Sequence, residues 1–167
     1  KVKDEEGNEV IQYTDKSGRM VLKRVQAVSG SVSVNNTNYA STYYIYDADG
    51  NLVVVIPPGA TKLITQTSPL SEYFNKTEQE KENFMSRWAF RYAYDSRNRM
   101  SIKQVPGGGA VYMVYDKRDR LILTQDANQR VNGRWTFTKY DVLNRPILTG
   151  VKDTTMISQS VMQNVVT

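Results

Sequence analysis

The chain contains neither cysteine nor histidine. Disulfides, thiolate metal sites and cysteine nucleophiles are therefore excluded, as is every triad or metal centre that needs an imidazole. The absence of cysteine leaves the cellular compartment open. No run approaches the ~20 apolar residues of a membrane-spanning helix, and the first residues do not form a signal peptide. The opening KVKDEEGNEV is charged and begins inside a repeat, so the chain is expected to be a fragment of a longer protein. Charge of one sign is not concentrated anywhere. The net +5 comes from 22 basic and 17 acidic residues, and the basic ones are scattered. A nucleic-acid site would cluster Lys and Arg with stacking aromatics on one face, and none is expected here.

What the chain does have is tyrosine, 11 residues against 4 Phe and 2 Trp. Tyrosine suits half-buried sheet faces, where the ring packs and the hydroxyl reaches a polar partner. Much of it lies in one phrase that comes three times within Phe90–Gly150: YAYDSRNRMSIKQVPG, YMVYDKRDRLILTQD and FTKYDVLNRPILTG. Each copy has Tyr-Asp, two variable residues, a small turn-former, an Arg (Arg99, Arg120, Arg145) and an apolar run. Tyr43–Ile56 (YYIYDADGNLVVVI) is a further clean copy, and Gln12–Arg24 (QYTDKSGRMVLKR) is a degenerate one with Thr14 in place of the tyrosine.

The phrase reads as a β-hairpin. Asp15, Asp47, Asp95, Asp116 and Asp141 open the turns, where an Asp side chain accepts from a backbone N–H two residues on. Gly18, Gly50, Asn98, Asp119 and Asn144 follow three places later, and these residue types tolerate a left-handed backbone. A type I turn followed by such a residue closes a short hairpin. Measured Asp to Asp, the gaps are 32 (15 to 47), 48 (47 to 95), 21 (95 to 116) and 25 (116 to 141). Successive hairpins at this spacing are expected to form an antiparallel meander, with Pro106–Gly109 and Asp126–Gly133 as returns. Val28, Val32 and Val34 suggest one more strand, with Asn35–Asn38 as its loop and Glu6–Glu9 as an earlier turn. Pro57-Pro58-Gly59 ends a strand. The 48-residue gap holds an excursion over Ala60–Asn75 and one helical insertion at about residues 77–88. That helix opens on a capping box, Thr77 with Glu80, and carries Phe84, Met85 and Trp88 as a short apolar face.

Little of this resembles a catalytic constellation. The five Asp residues share one turn position, so no carboxylate pair is singled out for acid–base work. Asp47–Asn51 loosely resembles a calcium loop but lacks the later bidentate Glu. The glycines of 106–110 lack the Lys-Ser/Thr of a phosphate loop. No cofactor, metal or catalytic residue is expected. Trp88 and Trp135, with several Tyr, are the candidates for a ligand platform, and a carbohydrate or cell-surface binding module is the alternative reading.

The recurring Y-D-x-x-G/N-R-L phrase resembles the YD repeat of the Rhs (rearrangement hot spot) and teneurin-like proteins. The stretch YMVYDKRDRLILTQDANQR with WTFTKYDVLNRPILTG is especially similar to large Rhs-type surface proteins of Bacteroidetes-like bacteria. The resemblance covers residues 12–24, 43–58, 90–107, 111–126 and 135–150. It implies a mostly β fold across residues 1–167, treated as a single domain or fragment. Antiparallel YD hairpins would form a twisted or spiralling sheet, part of a β-shell. It further implies a non-enzymatic structural segment of a secreted or cell-surface polymorphic toxin, enclosing a C-terminal toxin cargo. Its partners would be other repeats of the same polypeptide, with self-association through open sheet edges expected. Thr14, the helical insertion and Pro146, which stands where the repeat usually has Leu, depart from the pattern. They leave a curved shell and a flatter capped sheet both open.

Overall fold

Five times the chain makes the same hairpin. In a computed structural model, residues 2–3, 5, 8–27, 39–66, 75–154 and 158–166 are described. The five hairpins are β2 (Glu9–Thr14) with β3 (Met20–Gln26), β4 (Tyr39–Tyr46) with β5 (Leu52–Ile56), β6 (Phe90–Tyr94) with β7 (Met100–Gln104), β8 (Val111–Tyr115) with β9 (Leu121–Gln125), and β10 (Arg134–Tyr140) with β11 (Pro146–Asp153). A two-residue strand, β1 (Val2–Lys3), precedes them and pairs with β2. All pairings are antiparallel.

The register is the same in every copy. The residue just before the turn Asp pairs with the one just after the Arg position, as in Tyr115↔Leu121 and Tyr140↔Pro146. One extra residue is then bulged out, and the next pair is Val114↔Leu123 or its equivalent. A bulge bends its strand and sharpens the local twist. The turn explains the sequence constraint. Gly18 and Gly50 have φ of 78° and 89°, and Asn98, Asp119 and Asn144 have 57°, 60° and 62°. Asn and Asp accept this region because their short side chains bond locally.

The chain divides into two compact units, Lys1–Phe90 and Arg91–Thr167. In the first, β1 to β5 follow one another in chain order, and Ile11, Tyr39, Ala60 and Ala89 are buried. In the second, β7 to β11 do the same around Val114 and Trp135. The buried apolar set is thin, as the tyrosine-rich composition suggests.

Among the described residues there are four helices rather than one. α1 (Pro58–Gln66) packs on β4 and takes up the first part of the expected Ala60–Asn75 excursion. Pro58 explains it: proline ends β5 by lacking an N–H, yet is well suited to the first turn of a helix. α2 (Glu78–Trp88) is the expected insertion, and Thr77 and Glu80 form its reciprocal capping box. α3 (Ala127–Val131) occupies the expected Asp126–Gly133 return, capped in the same way by Asp126 and Gln129. That box was readable in the sequence; the short length of the gap hid it. α4 (Gln159–Val166) packs on β8. The expected strand at Val28–Val34, the loop Asn35–Asn38 and the Glu6-Gly7 part of the first turn lie outside the described residues, as do 67–74.

Trp135 is 0% exposed and is the largest fully buried side chain among the described residues. Trp135→Ala is expected to destabilise the second unit by about 3–5 kcal/mol, the usual range for emptying an aromatic core site. Chemical denaturation followed by circular dichroism measures this. A loss under about 1 kcal/mol would show that the core has been misplaced.

Candidate functional site

The repeated polar geometry of the molecule is at the turns. Asp95 Oδ1 accepts the backbone N–H groups of Arg97 at 2.9 Å and Arg99 at 3.0 Å, while its Oδ2 accepts Arg99 Nε at 2.7 Å. Asp116 does the same with Arg118 and Arg120, at 2.9, 3.0 and 2.7 Å. Asp15 and Asp141 repeat it with Arg19 and Arg145, both Nε bonds being 2.7 Å. The expected bond from two residues on is there, but it is one of three. The carboxylate's capacity is spent on its own turn and its own arginine.

Three of these four arginines then reach across to a neighbouring hairpin. Arg99 lies 4.9 Å from the ring centroid of Tyr115, Arg120 is 5.2 Å from Tyr140, and Arg19 is 5.0 Å from Tyr46. Such distances place a cation on an aromatic face. Arg99 Nη1 also donates to the Asp116 carbonyl at 3.1 Å and to Asp119 Oδ1 at 2.7 Å. Arg120 Nη1 matches this with the Asp141 carbonyl at 3.3 Å and Asn144 Oδ1 at 3.2 Å. Where Gly50 supplies no acceptor, a Cβ added to it would lie 3.0 Å from Arg19 Nη1, so the guanidinium occupies the same place.

The tyrosine hydroxyl returns the contact. Tyr46, Tyr115 and Tyr140 donate to the carbonyls of Met20, Met100 and Leu121 at 3.0, 2.8 and 2.9 Å. In all three cases the acceptor directly follows the clasping arginine. The backbone ladders between hairpins stop short of this region. Their last pairs on the turn side are Leu22↔Tyr43, Ile102↔Tyr112 and Leu123↔Phe137. Each joins the residue three after the Arg to an aromatic residue four before the next Asp. Beyond that pair the side-chain clasp replaces the ladder.

The second hairpin has Asn51 where the arginine would be. Its N–H and Nδ2 close on Asp47 at 2.8 and 3.2 Å, which completes the turn but carries no guanidinium outward. This is the hairpin after which the helices α1 and α2 intervene.

Between β7 and β8, helix α4 supplies the missing partners. Gln163 Oε1 accepts the Tyr115 N–H at 2.9 Å and Gln163 Nε2 donates to the Tyr115 carbonyl at 2.7 Å. Gln159, one helical turn earlier, donates to the Met113 carbonyl at 2.9 Å. Two side-chain amides thus act as a substitute strand. Sequence reasoning missed this, because Gln at i and i+4 reads as an ordinary polar helix face.

The electrostatics follow the geometry. Burial pushes the carboxyls of Asp95 and Asp116 up, yet the bonds from Arg99 and Arg120 together hold both below the ordinary 3.8. Asp47 is likewise lowered against the effect of burial, by Asn51. Asp15 is lowered first by the Arg19 side chain, and Asp141 first by the Arg145 backbone N–H. Burial also opposes the charge on Arg99, but Asp95 and Asp119 override it and raise its pKa.

The two tryptophans differ in exposure. Trp135 is fully buried in the second unit and offers no ring face to a ligand, because it serves as core. Trp88 is half-buried in the first unit, with the Arg87 guanidinium 5.7 Å from its ring centroid. Among the described residues no group of three or more Asp and Glu converges as a metal site would. An open cleft of about 610 Å³ between β9 and β10 is lined by Leu123, Phe137, Thr138 and Tyr140, with Arg120 and Lys152 beside them.

With this geometry established, comparison with known proteins is informative about fold. No protein-family model matches the chain. A salivary gland surface protein 1 of the mosquito Aedes aegypti is 30% identical over 100 residues, covering 59% of this chain and 3% of that protein. Among solved structures, a TcdB2–TccC3 complex superposes with a TM-score of 0.60 at 15% identity over 88% of this chain. The Tc holotoxin pore of Photorhabdus luminescens gives a TM-score of 0.57 at the same identity and coverage. This chain spans 6% of each of those chains. The fold is therefore Rhs-like: antiparallel hairpins in chain order, as in these Tc toxin components.

The depressed carboxylates predict how stability depends on pH. A carboxyl whose folded pKa lies below its unfolded value contributes stability above the unfolded value and loses it as pH falls through the folded one. Stability is therefore expected to be nearly flat from pH 7 to about 4.5 and to fall steeply below the ordinary 3.8. Thermal melts across pH 2–8 test this, and Asp95→Asn should make the acid limb shallower. With no histidine present, a main transition between pH 5 and 7 would contradict the assignment.

Proposed function

We propose that this chain is a non-enzymatic structural segment of a large secreted or cell-surface Rhs-type protein, a piece of wall in a shell around a C-terminal toxin. The observation that carries this reading is how the repeat's reactive-looking side chains are used up wherever one hairpin meets the next, as at Asp95, Arg99 and Tyr115. The turn Asp is filled by two N–H groups and an arginine, the arginine by a neighbouring tyrosine and carbonyl, and the tyrosine hydroxyl by another carbonyl. A catalytic carboxylate needs room for substrate and a distinctive environment, and each of these four carboxylates makes the same three bonds to its own turn and arginine.

The Rhs-like fold supports the same reading, since the solved structures it matches are parts of toxin assemblies. The mosquito protein's name, which places it at a surface, agrees with a secreted or exposed location. The partners of this segment are then other repeats of its own polypeptide.

Two measurements test it. A screen of the purified chain against ester, glycoside, phosphate and nucleic-acid substrates should give no turnover that Asp95→Ala or Asp116→Ala removes. Turnover abolished by one such substitution would overturn the reading. Protease treatment of intact producing cells, or of their medium, should cleave the parent protein; full protection until lysis would contradict the location.

A further inference from the structure

We infer that the cleft between β9 and β10 is a binding site for a short apolar peptide with a free C-terminal carboxylate. The site is additional to the structural role and does not rest on it. It lies inside the second unit, between two strands that are each paired along their other side. At about 610 Å³ it is within the range of sites that enclose small ligands.

The register opens the cleft. Hairpins four and five share one register, Tyr115↔Leu121 and Tyr140↔Pro146. In hairpin four the Met113 carbonyl and the Tyr115 N–H and carbonyl point outward, where the amides of Gln159 and Gln163 on α4 bond them. The corresponding groups of Thr138 and Tyr140 in hairpin five face β9, but that ladder has already ended at Leu123↔Phe137. Among the described residues no side chain bonds them. Backbone groups in such a place need water or a ligand as partner. α4 shows which chemistry complements the position: an amide, which donates and accepts at once.

The rest of the lining selects what accompanies that amide. Phe137 pairs with Gly150 on one side and Leu123 on the other, so all three share a face of the sheet. A Cβ on Gly150 would come 2.8 Å from Phe137 Cζ, so the ring lies over the glycine. Ile122 and Val166 extend this apolar lining. Lys139, two residues after Phe137, and Lys152, two after Gly150, belong to the same face and also line the cleft. Both are exposed, and neither has an ion-pair partner among the described residues. Arg120 is committed to Asp116, the acid of the lining, at 2.7 Å.

The cleft thus offers two uncommitted cations, an apolar floor and unpaired strand groups. A peptide terminus answers all three, with its carboxylate at the lysines, a side chain on Phe137 and Leu123, and its amide at Tyr140. A plain alkyl carboxylate answers only the first two.

The test titrates the full chain, isotopically labelled for NMR, with acetyl-Leu-Phe-Leu bearing a free carboxylate. Saturable shifts are expected at the Tyr140, Phe137 and Gly150 amides, while the Tyr115 amide, already held by Gln163, stays unmoved. The same peptide ending in a carboxamide should bind about tenfold more weakly. The double variant Lys139→Gln/Lys152→Gln should show the same loss of about tenfold at an unchanged thermal midpoint. Decanoate keeps the chain and the charge without an amide, and should also bind about tenfold more weakly. No saturation up to about 1 mM would overturn the proposal. So would equal binding of the carboxamide or of decanoate, or indifference to the two lysine substitutions. Shifts centred on Tyr115 would overturn it too, since the peptide would then be displacing α4.

Discussion

A guanidinium held on one hairpin and laid on the tyrosine of the next is the contact on which this architecture depends. The backbone cannot do that job. Each hairpin carries a bulge next to its turn, and three of the ladders between hairpins end before they reach it. Arginine suits the gap because its planar fork can bond a carboxylate, a carbonyl and an amide oxygen while its face stacks on a ring. Lysine has the charge without the fork. The turn Asp fixes the arginine's direction, so one residue pair both closes a hairpin and aims the clasp at its neighbour.

This arrangement compensates for a thin core. Few side chains are fully buried, and most tyrosines are half-covered. A sheet with little apolar burial needs specific polar contacts to hold its hairpins in register. Three junctions use one register, with an aliphatic residue opposite an aromatic one at the end of each ladder. Where the arginine is replaced by Asn51, the chain departs into helices before the next hairpin.

The hairpins and their left-handed turn residues were legible because local chemistry dictates them: Asp at the first turn position, then Gly, Asn or Asp where φ is positive. The helix after Thr77 was legible for the same reason, through its cap. What was not legible came from longer range. The tyrosine and arginine of one phrase look like partners in sequence, whereas the structure pairs each arginine with the tyrosine of the following phrase. Gln163 gives no local sign that it caps Tyr115, 48 residues away. Trp135 is indistinguishable in sequence from an exposed platform residue, since alternation along β10 alone does not say which face is the core. The helix at Pro58 was hidden behind a residue that reads first as a strand stop.

The central claim is that the arginine and the next hairpin's tyrosine are energetically coupled, and a double-mutant cycle on Arg120 and Tyr140 measures that directly. Arg120→Lys, Tyr140→Leu and the double variant would be compared by denaturant unfolding. The clasp predicts that the two single losses exceed the double loss by about 1–2 kcal/mol. Additivity within about 0.3 kcal/mol would contradict it, leaving the stack a coincidence of packing.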